Sequence, residues 1–162
     1  MFSTESDDDP GPIVPAGVHL APIGRRALGL LVDQALLAGL VIGGFAVLGY
    51  TPEEAITDDP GKWFNVAITV LALIYETLAV WRWGRTFGKL IARTRVVHVL
   101  DGGGVGFSAA LIRALVPAAF GAIPQIGLFL GLGVYALAMF DPRRQGLHDK
   151  AAGTLVGLTR HP

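Results

Sequence analysis

Residues 63 to 83 read WFNVAITVLALIYETLAVWRW, twenty-one positions in which Glu76 is the only charge before Arg82. A helix of roughly 20 apolar residues rises about 30 Å, the thickness of a bilayer's hydrocarbon core. Indole rings prefer the headgroup layer at either edge of that core, and Trp63, Trp81 and Trp83 stand at the two ends of the run. The stretch therefore predicts a membrane-spanning helix and sets the class of the whole chain.

The surroundings agree. The chain has 162 residues, 52% hydrophobic and only 16% charged, with a mean hydropathy of +0.53, a greasier mixture than a soluble domain of this size carries. Upstream, residues 27 to 52 hold Asp33 as their single charge and predict a first spanning helix. Downstream, residues 107 to 140 hold only Arg113, with Pro117 and Pro124 expected to break the run and Gly121, Gly127, Gly131 and Gly133 around and after them. Those 34 residues would make a helix of roughly 50 Å, generous for one crossing and short for two. The fold class expected is an all-α membrane protein: a small bundle of two full spanning helices plus a kinked or re-entrant helical hairpin turning near residues 121 to 124, with a short cytoplasmic β element.

Charge placement orients it. Cytoplasmic connections carry the excess of Lys and Arg. Arg25 and Arg26 are expected just ahead of the first helix; TPEEAITDDPGK, between the two spans, has four acids and one Lys; the connection after residue 81 holds Arg82, Arg85, Lys89, Arg93 and Arg95; and the end of the chain holds Arg143, Arg144, Lys150 and Arg160. Both termini and the second connection are thus expected on the cytoplasmic side of a multi-pass protein. Residues 1–22, acidic at Asp7, Asp8 and Asp9 and rich in Pro and Gly, read as a flexible tail with little to bury. Residues 23–157 form the transmembrane domain and 158–162 a second tail.

Ionisable side chains inside apolar runs are expensive and must face partners or water. Asp33 lies seven residues past Arg26, about 10 Å along the helix axis and on nearly the same face. Glu76 lies seven before Trp83, and Arg113 about 9 Å into the third region. The three depths coincide, which predicts one intramembrane cluster of Arg26, Asp33, Glu76 and Arg113, with the arginines neutralising the acids. Such a cluster is either a cation or proton site or an interhelical network that fixes packing; two acids balanced by two bases favour the second.

Around residue 101, RTRVVHVLDGGGVGF alternates and then turns through Asp-Gly, and TLVGLTR near the end has the same β-branched character, so the two can pair as a small sheet. The glycine run fits neither the dinucleotide nor the P-loop spacing and reads as a tight turn. Gly127 and Gly131 have the small-xxx-small spacing of a close helix-packing face.

Several separated motifs carry a resemblance: Arg26 seven residues before Asp33; GRTFGK at 84 to 89, with Thr86, Gly88 and Lys89, followed by Val96 and Val97; Asp101-Gly102; Arg113; and RRQGLHDKAAGT at 143 to 154, with Arg144, Gln145, His148 and Asp149. Over roughly residues 20 to 157 the chain resembles the RDD family of small bacterial membrane proteins, named for one Arg and two Asp. The resemblance implies that these are Arg26, Asp33 and Asp149, and that the protein sits in a bacterial cytoplasmic membrane. Gly29 stands where the family usually has a small alanine, and Arg93 where a glycine often precedes the Val-Val strand.

Function is less legible. There is no cysteine, no second His at metal-ligand spacing from His148 and no Ser in a nucleophile elbow, so thiol, metal and hydrolase chemistry are not expected, nor a cofactor, and the chain is not read as an enzyme. The basic residues lie at membrane boundaries without interleaved aromatics, which argues against nucleic acid. Asp149 is expected to cap or to pair with Arg26 or Lys89 while Arg143 and Arg144 snorkel to headgroups. By size, the chain reads as a small accessory or scaffold subunit whose partners are the lipid bilayer and other membrane subunits or its own copies. The alternative, suggested by the resemblance, is a small cation/proton antiporter or transporter acting as a homo-oligomer.

Overall fold

The computed structural model describes residues 14–51, 53, 58–121 and 127–159. Two long helices dominate, α1 (Ile23–Val47) and α2 (Asp58–Trp83). Over Ile23–Val47 and Trp63–Trp83 they are long and apolar enough to cross a membrane. Their apolar side chains point outward: Leu31, Leu40, Trp63, Val66 and Ile74 are all more than half exposed. α1 starts earlier than expected, at Ile23, because the Pro22 carbonyl accepts from the N–H groups of both Arg25 and Arg26 (3.1 and 3.2 Å) and draws the two arginines into the first turn.

After α2 the chain turns at Gly84 (φ 67°) into the short helix α3 (Phe87–Ile91) and then strand β1 (Thr94–His98). The third apolar region forms two helices in mutual contact, α4 (Phe107–Gly121) and α5 (Gly127–Ala136), continued by a 3-10 turn at Leu137–Met139. At 15 and 10 residues they rise only about 22 and 15 Å, too little to span singly. Pro117 does not break the run as expected; it lies within α4, where it removes one backbone hydrogen bond, a loss apolar helices tolerate when neighbours pack around them. Pro124 and the expected turn lie outside the described residues, as do residues 52 and 54–57 of the acidic connection between the first two helices.

A short helix α6 (Leu147–Ala152), ended by Gly153 in the left-handed region, leads into β2 (Thr154–Leu158). β1 and β2 pair antiparallel, Thr94 opposite Leu158 and His98 opposite Thr154, so the two β-branched pieces meet as their sequences suggest. Between β1 and α4 the glycine run makes a tight turn, with Gly102 at φ 69° and its N–H bonded to the His98 carbonyl. Residues 19–21, expected within the tail, are instead held along the free edge of β2: Ala21 N–H donates to Val156 O (2.9 Å) and Leu158 N–H to His19 O (2.8 Å). The reason is that an open strand edge offers unpaired backbone groups. Residues 1–13 and 160–162 lie outside the described residues. A small apolar core of Val80, Val96, Val105 and Ala110 joins the end of α2 to the sheet and α4.

Candidate functional site

Asp149 is the hub. Its carboxylate is wholly buried and lies in the first turn of α6, where it accepts the Gly146 N–H at 3.0 Å, an acid closing the start of its own helix. It also accepts from the guanidinium groups of Arg26 on α1 and Arg113 on α4. Arg26 donates further to the carbonyl of Arg144, which a left-handed backbone (φ 52°) turns toward it. One carboxylate thus joins three helices.

A second acid continues the network. Arg113, 2% exposed, sets Nε 3.4 Å from Glu76 Oε1 of α2, an ion pair without a well-formed hydrogen bond, and its Nη1 3.3 Å from Thr154 Oγ1. Glu76 also takes Lys89 Nζ at 3.5 Å. Lys89 belongs to α3, whose N-cap Thr86 accepts the Lys89 N–H. Burial lowers the Lys89 pKa and the Glu76 charge opposes that shift.

Asp33 lies apart from the guanidinium groups. It accepts from Tyr75 Oη (2.8 Å), Thr86 Oγ1 and the Gly88 N–H (2.8 Å), and no Lys or Arg of the described residues makes an ion pair with it. The Thr86 and Gly88 donors are presented where α1 and α3 cross with almost no space between them: a Cβ on Gly88 would overlap the Gly29 carbonyl oxygen and stand 2.8 Å from Asp33 Cγ.

The sequence profile of the RDD family matches residues 20–153, most of the chain. The chain belongs to the RDD family. Neither a curated protein nor a solved structure matches it. The buried cluster in this RDD protein gathers Arg26, Glu76, Arg113, Lys89 and Asp149, while Asp33 forms a neighbouring node. The expectation that arginines neutralise Asp33 is therefore corrected. A helical side chain leans toward its N-terminus, so the long Arg26 reaches past the start of α1 to α6, whereas the short Asp33 stays at the α1–α3 crossing. Lys89 likewise serves Glu76 and not Asp149. Gln145 is buried and its Nε2 donates to Thr154 O at 2.9 Å. Gly131 is half-buried on α5, and the surroundings of Gly127 lie outside what is described. Arg144 is exposed, as a headgroup-seeking side chain would be. Tyr75, Tyr135 and Thr154 were missed. Tyr75, a phenol in an apolar helix one residue before Glu76, was the readable signal; Thr154 and Tyr135 announce nothing without their neighbours.

His148 completes the site. It is wholly buried, its ring 4.5 Å from that of Tyr135, and neither nitrogen makes a well-formed hydrogen bond; the Val134 carbonyl faces it, and Asp149 Oδ2 lies 3.6 Å from Nε2. Burial and then the charges of Arg113, Arg26 and Lys89 push its pKa well below 6.5, so the imidazole is neutral and its proximity to Asp149 is not an ion pair. Unfolding releases it to take up a proton below about pH 6.5. The unfolded chain then binds more protons, so stability is flat above that pH and falls as the solution is acidified, by about 1.4 kcal/mol per pH unit. Denaturant titrations between pH 7 and 5 (about 1.5 units below the ordinary His value) should show this slope, and His148→Phe should flatten it. An unaltered slope in the variant would assign it elsewhere.

Proposed function

We propose that this RDD-family chain is an integral membrane protein acting as a small accessory or scaffold subunit, with both termini and the sheet on the cytoplasmic side and the α4–α5 pair inserted from that side. The outward-facing apolar side chains of α1 and α2 support the membrane setting, since exposed apolar surface on this scale needs lipid or a partner as its solvent. The observation that carries the role is the closure of the polar cluster. Two acids (Glu76, Asp149) pair with three bases (Arg26, Lys89, Arg113), and Asp33 beside them is held by Tyr75, Thr86 and the Gly88 N–H, so every one of the six is bonded or paired. A network so fully partnered fixes how helices pack. It functions as a clasp: α6 closes α1 and α4 through Asp149, and Arg113 carries the closure to α2 through Glu76.

A transport reading keeps one specific observation in its favour, the absence of a counter-cation at Asp33 among the described residues. Gentle extraction of the tagged protein, followed by mass determination of the intact assembly, separates the two. The accessory role expects a larger companion in fixed stoichiometry. A bare homo-oligomer would overturn it and turn attention to proton flux in vesicles, with Asp33→Asn as the control.

A further inference from the structure

Between Glu76 and Asp101 the chain carries no acid, and its cations there are Arg82, Arg85, Lys89, Arg93 and Arg95. Lys89 is spent inward on Glu76. Arg95 is turned outward because β1 buries its neighbours Thr94 and Val96. Its guanidinium lies over Gly84, 3.7 Å from where a Cβ would stand, and the Gly84 carbonyl accepts the Val96 N–H at 2.7 Å, tying the strand to the α2–α3 turn. Arg85 follows Gly84 directly. Arg82, two residues before it, is held 5.9 Å above the Trp83 ring. Three exposed arginines from two elements thus gather around one turn, and no described acid pairs with Arg82, Arg85 or Arg95. Beside them Trp83, Phe87 and Ile91 are about half exposed or more.

The two chemistries point to one occupant. Guanidinium groups bind phosphate oxygens in pairs, and the exposed aromatic and aliphatic side chains suit acyl chains just below a headgroup. With no acid of the described residues paired in the patch, a zwitterionic headgroup would bring its ammonium against uncompensated positive charge, whereas an anionic one completes the balance. We propose that the turn at Gly84 is a binding site for an anionic phospholipid, its phosphate held by Arg82, Arg85 and Arg95 and its chains lying along Phe87 and Ile91. The inference rests on the membrane reading above.

The test uses the full chain in vesicles of mixed phosphatidylglycerol and phosphatidylcholine. An alkaline carbonate wash comes first: protein released by it would overturn both the membrane reading and this site. Retained protein is then extracted gently and its bound lipids counted by intact mass. Phosphatidylglycerol should be enriched over its share of the vesicle. The preference should fall about fivefold for each arginine replaced in the series Arg82→Gln, Arg85→Gln, Arg95→Gln, whereas Arg25→Gln, an exposed cation outside the patch, should leave most of it. Single variants keep the test valid if the triple one does not fold. Equal retention of the two lipids, or a preference untouched by the series, would overturn the site while leaving the protein in its membrane.

Discussion

Asp149→Asn is expected to destabilise the protein by about 3–5 kcal/mol, the usual cost of removing one partner from a buried ion pair. The substitution preserves size and leaves an acceptor for the Gly146 N–H, so little of the loss can be assigned to packing or to the helix start. What it removes is charge. Arg113 keeps Glu76 at 3.4 Å, but Arg26 keeps only the Arg144 carbonyl as a direct partner among the described residues. The double variant Arg26→Gln, Asp149→Asn should therefore lose less than the sum of the two single changes, because the stranded charge is gone. A contrast lies on the same helix: Lys150 pairs with Asp141, but Lys150 is 53% exposed, and removing it should cost no more than about 1 kcal/mol. Equilibrium unfolding in mild detergent measures all four. A loss under about 1 kcal/mol for Asp149→Asn would mean that α6 is not clasped by this carboxylate.

What could be read in the chain and what could not divides along sequence distance. The two long helices are written locally, in runs of apolar residues with Trp63, Trp81 and Trp83 at the ends, and so is the β character of the two pieces that pair. The involvement of Asp149 and Arg26 was legible too, although 123 residues separate them, because a polar residue beside an apolar run requires a partner and few are available. Asp33 was assigned the wrong partners for the same physical reason that makes it informative. Depth along a helix can be counted in residues, but the side from which a neighbour approaches cannot, and α3, with the Thr86 hydroxyl and Gly88 N–H that Asp33 binds, takes its place only through tertiary packing. Two backbone positions show a finer limit. Arg93 and Arg144 both adopt left-handed φ, 55° and 52°, which costs a non-glycine residue about 1 kcal/mol. A glycine at Arg93 would make this turn without that cost. Composition alone gives no sign of it.

Gly88→Ala should be nearly as damaging as the loss of Asp149, although it adds one methyl group. The new Cβ would meet backbone on α1, the Gly29 carbonyl, and also Asp33 Cγ and Oδ2 at 2.8 and 2.9 Å. A flexible side chain could swing away; a helix backbone and a carboxylate held by three donors cannot. Relief requires α3 to move off α1, which stretches the Gly88 N–H bond to Asp33 and the Thr86 hydroxyl bond with it. Overpacking of this kind costs about 1–3 kcal/mol, and weakening a hydrogen bond to a charged group adds about 1.5–3, so about 3 kcal/mol or more is expected in a detergent unfolding titration. The reciprocal change separates crowding from a general intolerance of this crossing. In Gly29→Ala the new Cβ would lie 3.3 Å from the Gly88 carbonyl group, tight but short of overlap, and alanine gains about 1 kcal/mol over glycine inside a helix. Those terms nearly cancel, and the variant should unfold close to the parent. Equal effects at the two positions, or a Gly88→Ala protein as stable as the parent, would mean that the crossing is looser than the Asp33 hydrogen bonds require.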